Sequence, residues 1–403
     1  MAPRPCGRPR SDAGSFAPWP LRPAEPCDGG TLLLLVRLSI DQGVGRPDAG
    51  YASRWVTRFR IALGAVLLLI AGVIVLTLLH PPMPETVSGT ASGSVAPVAQ
   101  RQAAPDFTGV DAWINSEPLT IQQLRGHVVL IDFWTFSCVN CVRTIPHLQQ
   151  LYAQFHDDGL VIVGVHSPEF DFEKVQANVR AAVRRLGITW PVAVDSEMAT
   201  WNAYQNQYWP AEYVIDQQGR IAYTTFGEGN YDTTDSVVAQ LLGVTQGGGP
   251  SATAVPSDTS PELYAGSERG RLADGAQYGP MGQPTAYPDT GPPSQQDAIQ
   301  VAGSWTGEGQ YLVAASPGHV RLRFHADSVY VVAGSMSGQT LQVTASLDGS
   351  EVSPVNAGPS LSDGSLEVTR QDLFHVLQNV GGGDHLIDLT VPAGFQLYTF
   401  TFG

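Results

Sequence analysis

The sequence predicts an α/β domain followed by an all-β sandwich, both preceded by one transmembrane helix. An uncharged apolar run fills residues 61–79. Between residues 105 and 243, short apolar runs typical of strands alternate with segments whose apolar residues recur at helical spacing. From residue 262 onward, several segments have apolar residues at every second position, which is typical of antiparallel strands. These patterns divide the chain into an anchor and two folded domains.

The predicted transmembrane helix is the run at residues 61–79. At ~1.5 Å per residue it is long enough to cross the ~30 Å hydrocarbon core of a bilayer. Residues 1–60 are rich in Pro, Arg and Gly and are predicted to be disordered. Arg58 and Arg60 stand directly before the run, whereas the next Arg or Lys after it is Arg101. The positive-inside rule therefore predicts a single-pass protein of the cell membrane, with residues 1–60 cytoplasmic and both domains extracytoplasmic. The alternative is that the run belongs to a long cleavable signal peptide, which would also place both domains outside the cytoplasm.

Two linkers bound the α/β domain. Residues 80–104 are a predicted tether and residues 244–261 a second linker, both rich in small residues and Pro. The α/β domain then occupies residues 105–243, and the sandwich occupies residues 262–403. In the α/β domain we expect a strand from residue 128, a helix beginning at a pair of cysteines, strands at 160–165, 190–194, 211–216 and 220–226, and helices at 173–186, 198–204 and 232–242. In the sandwich we expect strands at 320–325, 341–348, 386–391 and 395–402.

Composition excludes two classes of partner. The net charge of −15 makes the protein a poor ligand for nucleic acid, and no basic patch stands out. A zinc site would need a second pair of ligands beside Cys138 and Cys141, and the other cysteines, Cys6 and Cys27, lie on the far side of the apolar run. We therefore expect neither nucleic acid nor a metal ion to bind.

Cys138 and Cys141 are the residues that most clearly indicate chemistry. An apolar run leads into the pair, and an amphipathic segment follows at once. Positions i and i+3 in the first turn of a helix bring two sulfurs within bonding distance. The first sulfur also lies at the positive end of the helix dipole, which favours its attack on a disulfide. A structural disulfide without turnover is the alternative.

Three further residues belong to the candidate site. Asp132 lies inside the apolar run, where a carboxylate is costly and its pKa should be raised, so we expect it to accept the proton of the second thiol. An idle acid at a wetted strand edge is the alternative. Trp209 and Pro210 directly precede a predicted strand, and a Pro in that position is a candidate for a cis peptide bond, with trans as the alternative.

These residues together resemble the thioredoxin superfamily. Its motif Asp-Phe-Trp-x-x-x-Cys-x-x-Cys is matched from Asp132 to Cys141, and its cis-proline is matched by Pro210. Within the superfamily the chain resembles the extracytoplasmic TlpA-type redoxins and, more closely, the C-terminal region of DipZ-type proteins. The phrases that carry this likeness are residues 113–119, 124–126, 163–170 and 208–216, and, in the second domain, 262–266, 368–377 and 398–403.

The resemblance implies a function and its participants. It implies a thioredoxin-like fold and a jelly-roll sandwich similar to a carbohydrate-binding module. It implies a thiol–disulfide oxidoreductase with protein thiol or disulfide substrates and no cofactor beyond the redox-active Cys138–Cys141 disulfide. Trp134, Trp209 and Pro210 are expected to contact the substrate, and the likeness to TlpA favours reduction. DipZ-type proteins carry an electron-transferring membrane domain that this sequence lacks, so we expect a separate membrane donor of the cytochrome c biogenesis reductase type.

Two other functions remain open. Thr135 stands three residues before Cys138, as in thiol peroxidases of the peroxiredoxin type. The Pro that such sites have four residues before this Thr is replaced by Ile131. The sandwich could instead be a module that binds cell-wall glycan or protein, with the redox domain ancillary to it. Sugar-binding faces need exposed aromatic rings, and the only Trp of the sandwich is Trp305.

Overall fold

A computed structural model describes residues 95–245 and 259–403 of the chain. The predicted disordered segment 1–60 and the predicted transmembrane helix 61–79 lie outside the described residues, as do most of the two linkers. Within the described ranges, no helix is both long and apolar enough to cross a membrane. All the described residues fall within one compact unit.

The α/β domain is a six-stranded sheet with helices around it. The strands are β1 (Ala112–Ile114), β2 (Val128–Trp134), β3 (Leu160–His166), β4 (Val192–Val194), β5 (Ala211–Ile215) and β6 (Ile221–Phe226), and the helices are α1 (Val139–Phe155), α2 (Gln176–Arg185), α3 (Ala199–Ala203) and α4 (Tyr231–Leu242). Short 3-10 turns lie at Val98–Gln100 and Asp171–Lys174. The strand order is β1-β4-β3-β2-β5-β6, with β2, β3 and β4 parallel and the other pairs antiparallel. The predicted elements are present with slightly shifted ends, and β1 was not predicted.

Strand β2 lies between β3 and β5 in the middle of the sheet, and both of its faces are buried. Alternate side chains of a strand point to opposite faces, so Leu130 and Trp134 join one apolar cluster and Ile131 and Phe133 the other. Asp132 shares the face of Leu130 and Trp134. The cluster on that face also contains Cys141, so the carboxylate and the second thiol lie on one side of the sheet.

Helix α1 presents one apolar stripe to the sheet. Its buried residues include Cys141, Ile145, Leu148 and Leu151, at the spacing of an amphipathic helix. Pro146 lies inside the helix on its exposed side, where the loss of one backbone donor is least costly. The packing of this stripe fixes the helix so that its first turn, with the cysteines, lies at the end of β2.

The helix predicted at 173–186 begins later than expected. Residues Asp171–Lys174 form a separate 3-10 turn, and α2 starts only at Gln176. Val175, inside the predicted helix, is extended and 49% exposed. The physical reason is Glu173: its carboxylate turns inward and accepts the backbone N–H groups of Glu169 and Phe170, which closes the turn on itself.

The second domain is an antiparallel sandwich. Its strands are β7 (Leu263–Tyr264), β8 (Pro284–Tyr287), β9 (Gln300–Gly307), β10 (Leu312–Ala314), β11 (Gly318–His325), β12 (Val329–Ser335), β13 (Leu341–Leu347), β14 (Ser350–Glu351), β15 (Leu361–Ser362), β16 (Ser365–Val368), β17 (Asp372–Leu377), β18 (Asp384–Val391) and β19 (Phe395–Phe402), with a 3-10 turn at Ala273–Gly275. The four predicted strands are among them, and the other strands, which include the long β9 and β12, were not predicted. The order is β15-β16-β13-β18-β11-β9-β10-β19-β12-β17, with β14 beside β13, β7 beside β19 and β8 beside β9.

Strand β9 connects the two halves of the sandwich. Its first residues pair with β11 and its last residues with β10. The change of partner occurs at Gly303, whose φ of +105° is strained for other residues, and an added Cβ would meet Gly318 Cα at 3.1 Å. Trp305 follows on the inside of the sandwich and is fully buried.

The sandwich packs directly on the α/β domain. Arg185 at the end of α2 donates two hydrogen bonds of 2.5 and 2.9 Å to Asp372 of β17. The ring of Tyr398 packs edge-on against Phe170 and Phe172, with centroids 5.3 and 4.9 Å away. Tyr398 thereby joins the apolar cluster that contains Cys141, so the sandwich lies on the same side of the sheet as α1.

Candidate functional site

The two cysteines differ in access. Cys138 is the N-cap of α1 and is half-buried, while Cys141 is 1% exposed. Both are free thiols, and the Cys138 Sγ accepts the backbone N–H of Cys141 at 3.2 Å. Burial raises the pKa of the Cys141 thiol well above its ordinary value, and Cys138 raises it further. The burial agrees with the predicted roles of an accessible first thiol and a buried second one, and the order of attack stays a prediction.

Asp132 is buried without a full set of partners. It is 3% exposed, and within the described ranges its Oδ1 has no hydrogen-bond partner. Burial raises the pKa of this carboxyl well above its ordinary value, and the charge of Glu212 raises it further. The alternative of a wetted strand edge is therefore wrong. The charge of Asp132 in turn contributes to the raised pKa of Cys141, so the two groups interact electrostatically.

Glu212 is a site residue that sequence reasoning missed. It lies on β5 directly opposite Asp132 of β2, so the two side chains share a face. Glu212 is also 3% exposed, burial raises its pKa, and its Oε2 accepts a hydrogen bond from Thr234 Oγ1 at 3.0 Å. Alternation along β5 could have placed Glu212 on an inner face, but only the pairing of the strands brings it to Asp132.

A histidine lies beyond this acidic pair. His147 Nε2 is 2.8 Å from Asp235 Oδ1, and its ring stacks on Tyr231 at a centroid distance of 4.2 Å. The positive charge that His147 can carry lowers the pKa of Glu212. Titratable groups thus extend from Cys141 past Asp132 and Glu212 to His147, whose side chain is 12% exposed.

A second buried acid, Glu173, holds the loop that leads to Cys138. Its Oε1 accepts hydrogen bonds from Thr135 Oγ1 and Ser137 Oγ, each at 2.5 Å, and from the Ser137 amide at 3.3 Å. Its Oε2 accepts the amides of Glu169 and Phe170 at 2.7 and 2.9 Å. Burial raises the pKa of Glu173, and the bonds from Ser137, Thr135 and Phe170 oppose that shift. The hydroxyl of Thr135 therefore donates its one proton to Glu173, and its oxygen also lies 3.3 Å from His166 Nε2.

The predicted substrate-contacting residues separate into two groups. The Trp209–Pro210 peptide bond is cis, and Pro210 precedes β5 at the edge of the sheet where β2 leads into the cysteine loop. Trp209 is half-buried, and its Nε1 donates to the Ser167 carbonyl at 3.0 Å. Trp134 is 1% exposed within the core, so the expectation that it contacts a substrate is wrong. Trp134 is buried because it lies on the inner face of β2, a strand that is buried on both sides.

Other ligand classes find little support in the described residues. Within the described ranges, no group of His, Cys, Asp and Glu could hold a metal ion. Trp305, the candidate platform for a sugar, is 0% exposed and donates its Nε1–H to the Ala302 carbonyl. The large aromatic side chains exposed in the described part of the chain are Tyr208 and Phe226, both in the α/β domain.

Comparison with known proteins supports this description. Residues 101–224 match the family described as AhpC/TSA, and residues 260–403 match the thioredoxin-like C-terminal domain. Protein DipZ from Mycobacterium tuberculosis and from Mycobacterium bovis is 36% identical over 319 residues, which are 74% of this chain and 43% of DipZ. The chain thus spans less than half the length of these relatives. The thiol–disulfide oxidoreductase YkuV from Bacillus subtilis is 32% identical over 36% of this chain and 98% of its own length.

The fold, the cysteine motif and these relatives define the class. The chain belongs to the thioredoxin superfamily, among the TlpA- and DipZ-type thiol–disulfide oxidoreductases.

Proposed function

We propose that the protein reduces disulfides of other proteins outside the cytoplasm through Cys138 and Cys141. The observation that carries the proposal is the arrangement of the pair: a half-buried thiol caps α1, and a buried thiol lies beneath it on the same side of the sheet as Asp132. A disulfide reductase needs one thiol that a substrate can reach and a second that only the first can reach.

The first step is attack by the Cys138 thiolate on one sulfur of the substrate disulfide. The substrate S–S bond breaks, a Cys138–substrate mixed disulfide forms, and the substrate's other sulfur leaves as a thiolate. The N-terminus of α1 and the Cys141 amide, which points at the Cys138 sulfur, favour negative charge on that sulfur.

The second step releases the substrate. The raised pKa of Cys141 keeps it a thiol at neutral pH, so a base must take its proton before it can attack. The raised pKa of Asp132 makes its carboxylate a stronger base than an ordinary aspartate. The Cys141 thiolate then attacks the Cys138 sulfur. The mixed disulfide breaks, a Cys138–Cys141 disulfide forms, and the substrate's second sulfur leaves as a thiolate, so the substrate has gained two electrons from the pair.

The pair must then be reduced again. We assign this step to a separate membrane donor of the cytochrome c biogenesis reductase type, with residues 61–79 as a single anchor that keeps the redox domain near that donor. Fractionation of cells and N-terminal sequencing of the mature chain test the anchor. A soluble product that starts after residue 80 would overturn it and leave the redox chemistry intact.

A thiol peroxidase is the second candidate, favoured by the match to the AhpC/TSA family. The burial of Thr135, which is 0% exposed, and the donation of its hydroxyl proton to Glu173 weigh against it, because that proton is not available to a peroxide at Cys138. Insulin reduction and peroxide consumption, measured on the full chain in detergent, separate the two. We expect insulin reduction that Cys138→Ser abolishes, and peroxide consumption without insulin reduction would overturn the proposal.

The sandwich is assigned a structural or protein-docking role in preference to glycan binding. The burial of Trp305 supports this assignment, since an exposed ring is what stacks on a sugar. The jelly-roll topology stays a prediction. Pull-down of the full chain by cell-wall glycan, lost on competition with soluble oligosaccharide, would favour the glycan-binding alternative.

A further inference from the structure

A cavity of about 250 Å³ lies between the first turns of α1 and the sandwich. Phe136 and Val139, on either side of Cys138 in sequence, form its floor on the α/β side. Tyr330, Leu373 and His375 form the wall on the sandwich side. Because both domains contribute, the cavity exists only when the sandwich is docked on the α/β domain.

The cavity is within reach of a substrate bound to Cys138. Val139 is the next residue after Cys138, and consecutive Cα atoms are ~3.8 Å apart. An extended peptide advances by ~3.3–3.6 Å per residue. A polypeptide joined to Cys138 through its own cysteine can therefore reach the cavity with the side chain next to that cysteine.

The charged groups at the cavity are already neutralised. Arg143 binds both oxygens of Glu228 at 3.0 and 2.9 Å, and Arg185 binds Asp372 at 2.5 and 2.9 Å. A charged side chain that entered would lose its hydration without finding a free counter-charge on these arginines. An apolar side chain incurs no such loss and gains by burial.

His375 lines the cavity beside Tyr330. Its ring stacks on Tyr330 with a centroid distance of 4.1 Å, and within the described ranges its Nε2 has no hydrogen-bond partner. Burial lowers the pKa of His375, so the ring is neutral at pH 7. A neutral imidazole adds no charge to the cavity, so this side too favours an apolar occupant.

We infer that this cavity binds a large apolar side chain of the substrate polypeptide next to its disulfide-bonded cysteine. The sandwich thus takes part in selecting substrates for the reductase. The volume fits this occupant, since an apolar cavity of about 150 Å³ already binds benzene. The inference rests on the proposed reductase function, because it requires a peptide held at Cys138.

The test compares two disulfide-linked peptides that differ only in the residue after the cysteine, Phe in one and Asp in the other. Reduction is followed with the full chain in detergent, and dithiothreitol, whose own reaction rate is subtracted, regenerates the Cys138–Cys141 thiols after each turnover. The small molecule 2-hydroxyethyl disulfide serves as a substrate too small to fill the cavity. We expect the wild-type kcat/KM to be at least tenfold higher for the Phe peptide. Equal values for the two peptides would overturn the inference.

Two variants change the cavity. Ser360→Trp fills it from the sandwich side, and Leu373→Ala removes part of its wall. We expect each to bring the Phe-to-Asp ratio of kcat/KM below about threefold, and because the ratio is taken within one protein it is independent of the folded fraction. Val355→Trp, at a position that is 69% exposed, is the matched control and should keep the wild-type ratio.

The remaining outcomes are also decisive. A wild-type ratio retained in both cavity variants would overturn the inference while leaving the reductase function in place. If wild-type protein reduces neither the peptides nor 2-hydroxyethyl disulfide, the reductase function fails and the inference falls with it.

Discussion

Asp132 and Glu173 are both buried acids near the active thiols, yet their surroundings are opposite. Glu173 accepts five hydrogen bonds from the loop before Cys138 and from the turn at residues 169–173. Asp132 has an oxygen without a partner in the described part of the chain and a second carboxylate, Glu212, on the neighbouring strand. Burial alone therefore does not identify the acid that takes part in the chemistry.

The difference lies in the interactions that each carboxylate would lose on gaining a proton. Protonation of Glu173 would disrupt bonds that hold Thr135 and Ser137 in place ahead of Cys138. Protonation of Asp132 disrupts little and relieves its repulsion with Glu212. We therefore assign Glu173 to positioning the loop and Asp132 to proton transfer.

The largest effect is expected from Asp132→Asn on catalysis. Asparagine keeps the shape of the side chain but cannot accept the Cys141 proton, so release of the mixed disulfide should slow by roughly 10²-fold at pH 7. Stopped-flow measurement of release checks this, with Asp157→Asn, at a side chain that is 91% exposed, as the control. Unchanged release between pH 6 and 9 would show Asp132 to be a bystander.

The second effect concerns stability and Glu173. Glu173→Leu leaves two hydroxyls and three amides without their acceptor, and each unsatisfied group costs about 1–3 kcal/mol. We expect the free energy of unfolding to fall by at least ~3 kcal/mol, measured by urea denaturation. Glu351→Leu, at an exposed position on β14, is the control. A loss below ~1 kcal/mol would contradict the positioning role.

Asp132→Asn should act on stability in the opposite direction. The raised pKa means that the folded state disfavours the ionised carboxyl, so wild-type stability falls as the pH rises from the ordinary value of 3.8 through the raised one. Each unit of that shift costs about 1.4 kcal/mol once the pH is above both values. Asp132→Asn should therefore unfold at higher temperature than wild type at pH 8, with the difference shrinking toward pH 4. A variant less stable than wild type at pH 8 would be inconsistent with this.

The smallest effect is expected from Glu212→Gln. The change removes the negative charge that raises the pKa of Asp132, so that pKa should fall. The pH dependence of mixed-disulfide release should then shift to lower pH without loss of the maximal rate by more than a few-fold. An unshifted profile would show that Glu212 does not influence the proton acceptor.

The sequence was sufficient to predict some residues of the site and not others, and the reasons are physical. The cysteine pair and Asp132 were predictable because their spacing and apolar context are local. Glu212 was not, because its role depends on the register of β5 against β2. Glu173 was interpreted as a helical residue because its spacing fits a helix, whereas tertiary hydrogen bonds turn its side chain inward. Trp134 was assigned to the substrate face although alternation along β2 places it in the core.

The fold shows the same division. The periodicity of two predicted four of the longer sandwich strands, such as β19 with its alternating Phe and Thr residues. It could not predict strands of two residues, such as β14 and β15, or the corner at Gly303, which depend on contacts distant in sequence. The docking of the sandwich beside the cysteines depends on pairs such as Arg185 and Asp372, which no local pattern connects.

Trapping of a substrate disulfide tests the roles of Cys138 and Cys141 most directly. The full chain carrying Cys141→Ser is mixed with a disulfide-linked peptide, and the products are analysed by mass spectrometry without reduction. We predict a covalent adduct at Cys138 that persists because the resolving thiol is missing, and no adduct at Cys141 in the Cys138→Ser protein. Because the chain also contains Cys6 and Cys27, the site is read from the peptide that carries the adduct. An adduct that forms through Cys141 in the Cys138→Ser protein, or none in the Cys141→Ser protein, would contradict the proposed exchange mechanism.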